Sequence, residues 1–401
     1  MVISKGNLEK GCLRDRVVLI TGAGGGIGFE AVRCLLWLGA SVIIAEIDNA
    51  KVKQAQSKLE KEFGSEKILV VRCDISEESG VIKLIRKAKE KFGSIDTVIN
   101  NATIAPIGPV HEVGIKQWDR SYQVNLRGPV LLISHLLPDM LRCKSGVIVL
   151  VPSSGAAPYM GAYEVFKTSQ VELCNTLCAE LEETGVIAFS IGPGIVKTET
   201  ADNAIRKLAP LYNKSVEEFY GMNEAVLISA EEAGAGFAAA VANAESYVGM
   251  EISSLQALQD AGITIQTGSE TASVKLDPKR AAAMQNAIKD ILGTFTEQSE
   301  GWKQRNTFER QWIVRDFKKY TGSAAETVTE QIKGFTQEVL RGSVRHAWTD
   351  LPFEALKKYY EHQMDLLRGY EKDPEKLQKN IELMKRWVNS IELLKGLFFE
   401  S

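Results

Sequence analysis

Between residues 16 and 190, short apolar runs alternate with longer stretches whose hydrophobic positions recur at helical spacing. Arg16 to Ile20, Val42 to Ala45, Ile68 to Val71, Thr97 to Ile99, Val147 to Val151 and Val186 to Ser190 are short and nearly continuous in apolar residues. That is the pattern of strands covered on both faces. Helical spacing separates them at Phe29 to Leu38, in a polar amphipathic stretch ending at Phe63, at Glu77 to Phe92, through Trp118 and Asp119 to Pro129, and from the residues after Pro158 to Glu182. Strands that alternate with helices of this length imply right-handed crossovers and an α/β, doubly wound parallel sheet, with ligands at the carboxyl ends of its strands. Thr200 to Met222 mixes polar residues with Leu208, Leu211, Tyr212, Phe219 and Tyr220, a helical flap over a pocket or ordinary core packing.

The pattern changes after residue 265. Gln266 to Asp277 is small and polar and reads as a linker. Helices are predicted over residues 278–295, 302–319, 324–341, 352–370 and 374–398, making an all-α C-terminal extension. Asp277 before Pro278, the Ser323-x-x-Glu326 capping box, Asp350 with Pro352, and Asp373 before Pro374 mark the starts, and the helix near Trp302 has no such signal. Leu377, Ile381, Met384, Val388, Ile391 and Leu394 form one apolar stripe that needs a packing partner. The stretch from Trp302 to Tyr320 interleaves aromatic and basic residues, for recognition of an acidic group or as a core stripe flanked by snorkelling cations.

A net charge of −3 removes the electrostatic case for nucleic acid or an anionic membrane surface. No run approaches the apolar length of a membrane span, and Met1 to Asp15 has no signal-peptide core. Six cysteines without a Cys-x-x-Cys pair, and four scattered histidines, suggest reduced thiols, no metal site and a cytoplasmic protein.

Candidate chemistry lies at the predicted strand ends. Thr21-Gly22-Ala23-Gly24-Gly25-Gly26-Ile27-Gly28 joins the first strand to the first helix, where glycines admit a pyrophosphate to the free amides of a helix start. Glu46 ends the second strand, about twenty residues on, where an acid accepts the adenosine ribose hydroxyls and repels a 2′-phosphate. No basic residue flanks it at Gly25 or Ile47, so NAD is expected over NADP. Asn125 stands in an otherwise apolar helical stretch, and its amide needs partners. Tyr163 and Lys167 sit four apart on one helix face, so an ammonium can lower a phenol pKa, and Ser153 or Ser154 at a strand end can hold the same substrate oxygen. A Tyr-x-x-x-Lys pattern alone is short and carries little weight.

Together and in this order, Thr21-Gly22-x-x-x-Gly26-x-Gly28, Asn100-Asn101-Ala102, Asn125, Ser153, Tyr163-x-x-x-Lys167 and Pro193-Gly194 resemble the short-chain dehydrogenase/reductase family. The resemblance covers roughly residues 12–262, with Tyr247 to Ile252 similar to the family's last strand. It implies a Rossmann-like fold and hydride transfer between a nicotinamide and a carbonyl or alcohol carbon. It further implies that Tyr163 passes the proton, Ser153 holds the substrate oxygen, Lys167 lowers the phenol pKa and binds the nicotinamide ribose, and Asn125 positions a relaying water. Asp74 and Ile75 would then meet the adenine, Asn101 the ribose, and Val196 and Thr198 the nicotinamide amide. Two features depart from the family pattern. Thr103 stands where a glycine is usual, and the segment from Ser153 to Tyr163 is shorter than usual.

The expected organisation is an NAD-binding catalytic domain over residues 1–265, a linker over 266–277 and a helical extension over 278–401 that serves as lid, oligomerisation element or docking surface. The expected activity is an NAD-dependent oxidoreductase interconverting a secondary alcohol and a ketone, acting on a small molecule as a dimer or tetramer. A 3-hydroxyacyl or 3-oxoacyl thioester oxidoreductase, and a nucleotide-binding scaffold acting through its extension, are the alternatives.

Overall fold

The computed structural model describes residues 1–153, 157–223, 227–265, 274–303, 313–314, 316–317, 320–321, 325–344, 348 and 351–399. The chain forms two compact units, Met1–Ser269 and Glu270–Ser401.

The first unit is built on β1 (Val17–Thr21), β2 (Ser41–Glu46), β3 (Ile68–Arg72), β4 (Thr97–Asn100), β5 (Gly146–Leu150), β6 (Val186–Gly192) and a last strand, Glu251–Ser253. These seven strands pair in parallel in the order β3-β2-β1-β4-β5-β6 and then Glu251–Ser253. The order reverses between β1 and β4, which opens a crevice at their carboxyl ends. Consecutive strand residues go to opposite sides of the sheet. Val18, Ile20, Val42 and Ile44 join one core cluster, and Val17, Leu19, Ile43 and Ala45 join the other.

Helix α1 (Gly26–Trp37) covers the first face with Ala230–Ala242 and Ser254–Asp260. Glu78–Phe92, Gly128–Cys143 and Gly161–Glu180 cover the second. On the first face the backbones touch. A Cβ on Gly234 would lie 2.5 Å from the Ala31 nitrogen, and one on Gly236 would lie 2.6 Å from the Ser254 Cα. The last strand is shorter than predicted because Ala244–Tyr247 winds into a 3-10 turn. Thr200 to Met222 becomes two helices, Glu199–Leu211 and Val216–Met222, packed through Ile205, Ala209 and Tyr220.

The second unit is helical: Pro278–Lys303, Ala325–Leu340, Phe353–Tyr370 and Pro374–Phe399, with Val274–Lys275 paired to Ser343–Val344. It has a core of its own in which Phe295, Phe335, Phe353 and Tyr360 are buried, and the predicted stripe supplies Ile381, Ile391 and Leu394. Two boundaries differ from the sequence reading. Helical spacing continues past residue 295, so Trp302 closes the first helix instead of opening a second. Two residues at the end of the predicted linker pair as strand, while residues 266–273 lie outside the described residues. Trp302 and Phe317 are buried against Phe295 and Tyr359, the core role of the aromatic stripe, and Arg305, Phe308, Arg310, Trp312, Arg315 and Lys318 lie outside the described residues, as does Ser323. Among the described residues no helix is long and apolar enough to cross a membrane.

Candidate active site

The carboxyl ends of β1 and β4 hold the glycine loop. Gly22 and Gly26 have φ of +64° and +57°, a left-handed region that suits glycine. A Cβ on Gly22 would lie 2.7 Å from the Ala102 Cα, and one on Gly28 would lie 2.7 Å from Asn101 Nδ2. Asn101 ties the loop down by donating from Nδ2 to the carbonyls of Thr21 (2.8 Å) and Gly22 (3.1 Å). The loop delivers α1 with Gly25 at its N-cap and no side-chain cap, so the leading amides of Gly26, Ile27 and Gly28 are left for an anion. This cradle fits a dinucleotide pyrophosphate.

Around it stand the other candidate binding residues. Glu46 is buried at the end of β2, where its carboxylate accepts the amides of Gly24 (3.1 Å) and Asp48 (3.0 Å). Lys51 lies beside it and pairs with Glu199 at 3.0 Å, a cation that Gly25 and Ile47 do not supply. Burial works to raise the Asp74 carboxyl, but Ser76 and the Arg120 guanidinium (2.8 Å) outweigh it and hold it below the usual range. Ile75 is buried against Gly128. Val196 is buried in the two-residue strand Ile195–Val196, and Thr198 caps Glu199–Leu211 by accepting the Ala201 amide at 3.2 Å.

At the ends of β4 and β5, four side chains meet in one hydrogen-bonded cluster. The hydroxyls of Ser153 and Thr103 both lie beside the Tyr163 phenol and act to lower its pKa. Thr103 donates to Asn125 Oδ1 at 2.9 Å, and the same oxygen accepts the Ile104 amide at 3.1 Å. Asn125 Nδ2 donates to the Ile104 carbonyl (2.8 Å) and to Ser121 (2.9 Å), which settles the orientation of the amide. Asn125 lies in a π-helical turn, Gln123–Arg127, a distortion that recurs at functional sites. Its backbone carbonyl accepts from Gln170 Nε2 at 2.5 Å. Lys167 is buried on Gly161–Glu180, one turn beyond Tyr163.

A short chain dehydrogenase family model matches residues 16–209. The human dehydrogenase/reductase SDR family member 2, mitochondrial, is 34% identical over 200 residues, 49% of this chain and 70% of that protein. The chain belongs to the short chain dehydrogenase family. A short chain dehydrogenase of Pseudocercospora fijiensis is 32% identical over 49% of this chain, which spans 65% of that relative. Among solved structures, the NADH complex of the 3-ketoacyl-(acyl-carrier-protein) reductase from Brucella melitensis superposes with a TM-score of 0.54 at 26% identity, over 60% of this chain and 97% of that one.

This short chain dehydrogenase departs from the sequence reading in how its phenol is tuned. Burial and the nearby Glu164 carboxylate push Tyr163 up to about 12, against hydrogen bonds to Ser153 and Thr103, so the phenol is not held near neutrality. Lys167 is pushed down to about 7 by burial, with Glu164 opposing. Ser153 donates to Glu164 at 2.9 Å, and Ser154 lies outside the described residues. Asn125 has every side-chain position engaged, with Thr103 in direct contact where a relaying water was expected. The shortened segment before Tyr163 turns tightly, with Tyr159 at φ +66° and its carbonyl accepting the Gly108 amide at 2.8 Å. Glu164 and Gln170 were missed as site residues. The available signal was an acid between Tyr163 and Lys167 in a helix whose other buried side chains, Lys167 apart, are neutral.

Proposed function

We propose that this chain is an NAD-dependent oxidoreductase that interconverts a secondary alcohol and a ketone, with Tyr163 as the proton donor and acceptor. The observation that carries the reading is the convergence of the Ser153 and Thr103 hydroxyls on the Tyr163 phenol, at the sheet end that also holds the glycine cradle. A nicotinamide held there supplies hydride transfer to or from the carbinol carbon. Gly22, Gly26, Ile27 and Gly28 would hold its pyrophosphate, Glu46 and Asn101 its adenosine side, Asp74 and Ile75 its adenine, and Val196, Thr198 and Lys167 its nicotinamide end. Glu46 supports NAD over NADP, since a buried acid repels a 2′-phosphate and Lys51 is already paired with Glu199.

Tyr163 gives its proton to the carbonyl oxygen as the carbon is reduced and takes it back in the reverse direction. Its protonated state near neutrality suits delivery of that proton in the reductive direction. Thr103 lies between the phenol and Asn125; its hydroxyl turns from Asn125 to pass its proton to the phenolate and takes a replacement from solvent, since the Asn125 oxygen has no proton to give. Ser153 holds the reacting oxygen once its hydroxyl turns from Glu164. A 3-oxoacyl thioester as substrate is supported by the likeness to the Brucella melitensis reductase.

The test is binding of NADH and NADPH to the full chain, followed by a turnover screen over ketones, secondary alcohols and 3-oxoacyl thioesters with the Tyr163→Phe variant alongside. NADH binding by both proteins with turnover in the wild type alone supports the reading. Failure of either cofactor to bind, or full turnover by Tyr163→Phe, overturns it.

A further inference from the structure

Glu164 has no assigned part in the chemistry above, yet it bonds to Ser153 and stands on the helix of Tyr163 and Lys167. It lies in the first turn of Gly161–Glu180 between Tyr163 and Lys167 and is 6% exposed. One carboxylate oxygen accepts the Ser153 hydroxyl at 2.9 Å, and the other is shut from solvent with no hydrogen-bond partner. A buried acceptor left unpaired costs about 1–3 kcal/mol, more where it is charged, so such a group needs a reason to be there.

The surroundings limit what that reason is. The strands packed on this helix, β5 and β6, carry no charged residue. From Ile115–Tyr122, Lys116 and Asp119 are exposed and Arg120 is paired with Asp74. From the π-helical turn, Arg127 donates to the Ser76 carbonyl. Among the described residues of those elements, none turns a charge to Tyr163, which leaves Glu164 and Lys167 on its own helix. Glu164 stands in the first turn of that helix, with Lys167 one turn on.

Proton counting then defines the effect. A carboxylate only accepts, so the single Ser153 proton goes to Glu164. The single Thr103 proton goes to Asn125. Each hydroxyl therefore supports a phenolate only by giving up its present bond. We infer that Glu164 is a positioning residue: it takes the Ser153 proton and so keeps that hydroxyl from donating to Tyr163, which works as a proton donor.

This rests on the reading of Tyr163 as the proton donor, and the test separates the two. The full-length chain labelled with ¹³C-tyrosine is compared with Glu164→Gln, Glu164→Ala and Tyr163→Phe, the last identifying the Tyr163 signal. No substrate is needed for this titration. Without the carboxylate, the phenolate fraction of Tyr163 near pH 10 rises about tenfold, the scale of one unit of pKa. The alkaline limb of the kcat profile for whichever carbonyl the screen identifies moves to lower pH by the same amount, while NADH affinity changes by less than about threefold. Glu164→Asp restores part of both shifts. A phenol that titrates as in the wild type in the near-isosteric Glu164→Gln overturns the inference, even if Glu164→Ala fails to fold. A Tyr163→Phe variant that turns over normally overturns the catalytic reading instead, and leaves the titration to report on Glu164 alone.

Discussion

Lys167 is buried with its amine pushed down to about 7, so the folded chain holds this proton less tightly than the unfolded chain does. Between that value and the ordinary lysine pKa near 10.4 the unfolded state binds more protons, so this group's contribution to stability rises with pH through that window and is least favourable below it. Replacing Lys167 with Met should therefore stabilise the cofactor-free chain, by about 1 kcal/mol or more near pH 6 and by much less near pH 10, and raise its melting temperature accordingly. A melting series across pH reads this, and a uniform or reversed difference would refute the buried-amine assignment. The same variant should lose turnover. Thr103 is the second residue with a specific expectation. Thr103→Val keeps the shape but cuts the link from Tyr163 to Asn125, and a proton-transfer defect of about 10²-fold in kcat with unchanged NADH binding is expected. Stopped-flow turnover with a fluorescence measurement of NADH affinity would check it, and an unaltered kcat would remove Thr103 from the proton path.

At the scale of elements, close approach matters more than propensity. The glycine loop works because its backbone lies against Ala102 and Asn101 without side chains between them. Gly28→Ala sets a methyl 2.7 Å from Asn101 Nδ2 and 2.8 Å from the Ala23 Cα, so NADH affinity should fall at least about tenfold by calorimetry, with a stability loss of about 1–3 kcal/mol. Gly236 plays the same part without a ligand. Gly236→Val forces Ala230–Ala242 off Ser254 and should cost about 1–3 kcal/mol in a denaturant titration while leaving the site residues in place. The alternation of apolar runs with helical spacing made β1 to β6 and most of the helices between them legible to within a residue or three, but the stretch read as ending at Pro129 runs on as Gly128–Cys143. The turn lengths at Ala244–Tyr247 and after Phe295 were not legible, because hydrophobic spacing does not report where a helix stops when no cap or proline marks the place.

The whole molecule is two units with separate cores, and the family likeness covers the first. A fragment of residues 1–269 should keep its own cooperative unfolding transition and NADH affinity within a few-fold of the full chain, since its sheet and both flanking helix layers lie within it. Calorimetric unfolding with and without NADH would test this, and a fragment that neither folds nor binds would show that the helical unit is needed for the fold. Composition, spacing and order of motif were enough to specify the doubly wound sheet, the glycine cradle and the Tyr163–Lys167 helix, because a period of hydrophobic positions and a few glycines constrain local backbone directly. What they left open was how the gathered groups act on one another. The loss of water around Lys167, the Glu164 carboxylate beside Ser153 and the Thr103 bridge to Asn125 arise when distant segments close on a shared buried volume. There, desolvation and hydrogen-bond direction, which no linear pattern carries, set each group's protonation.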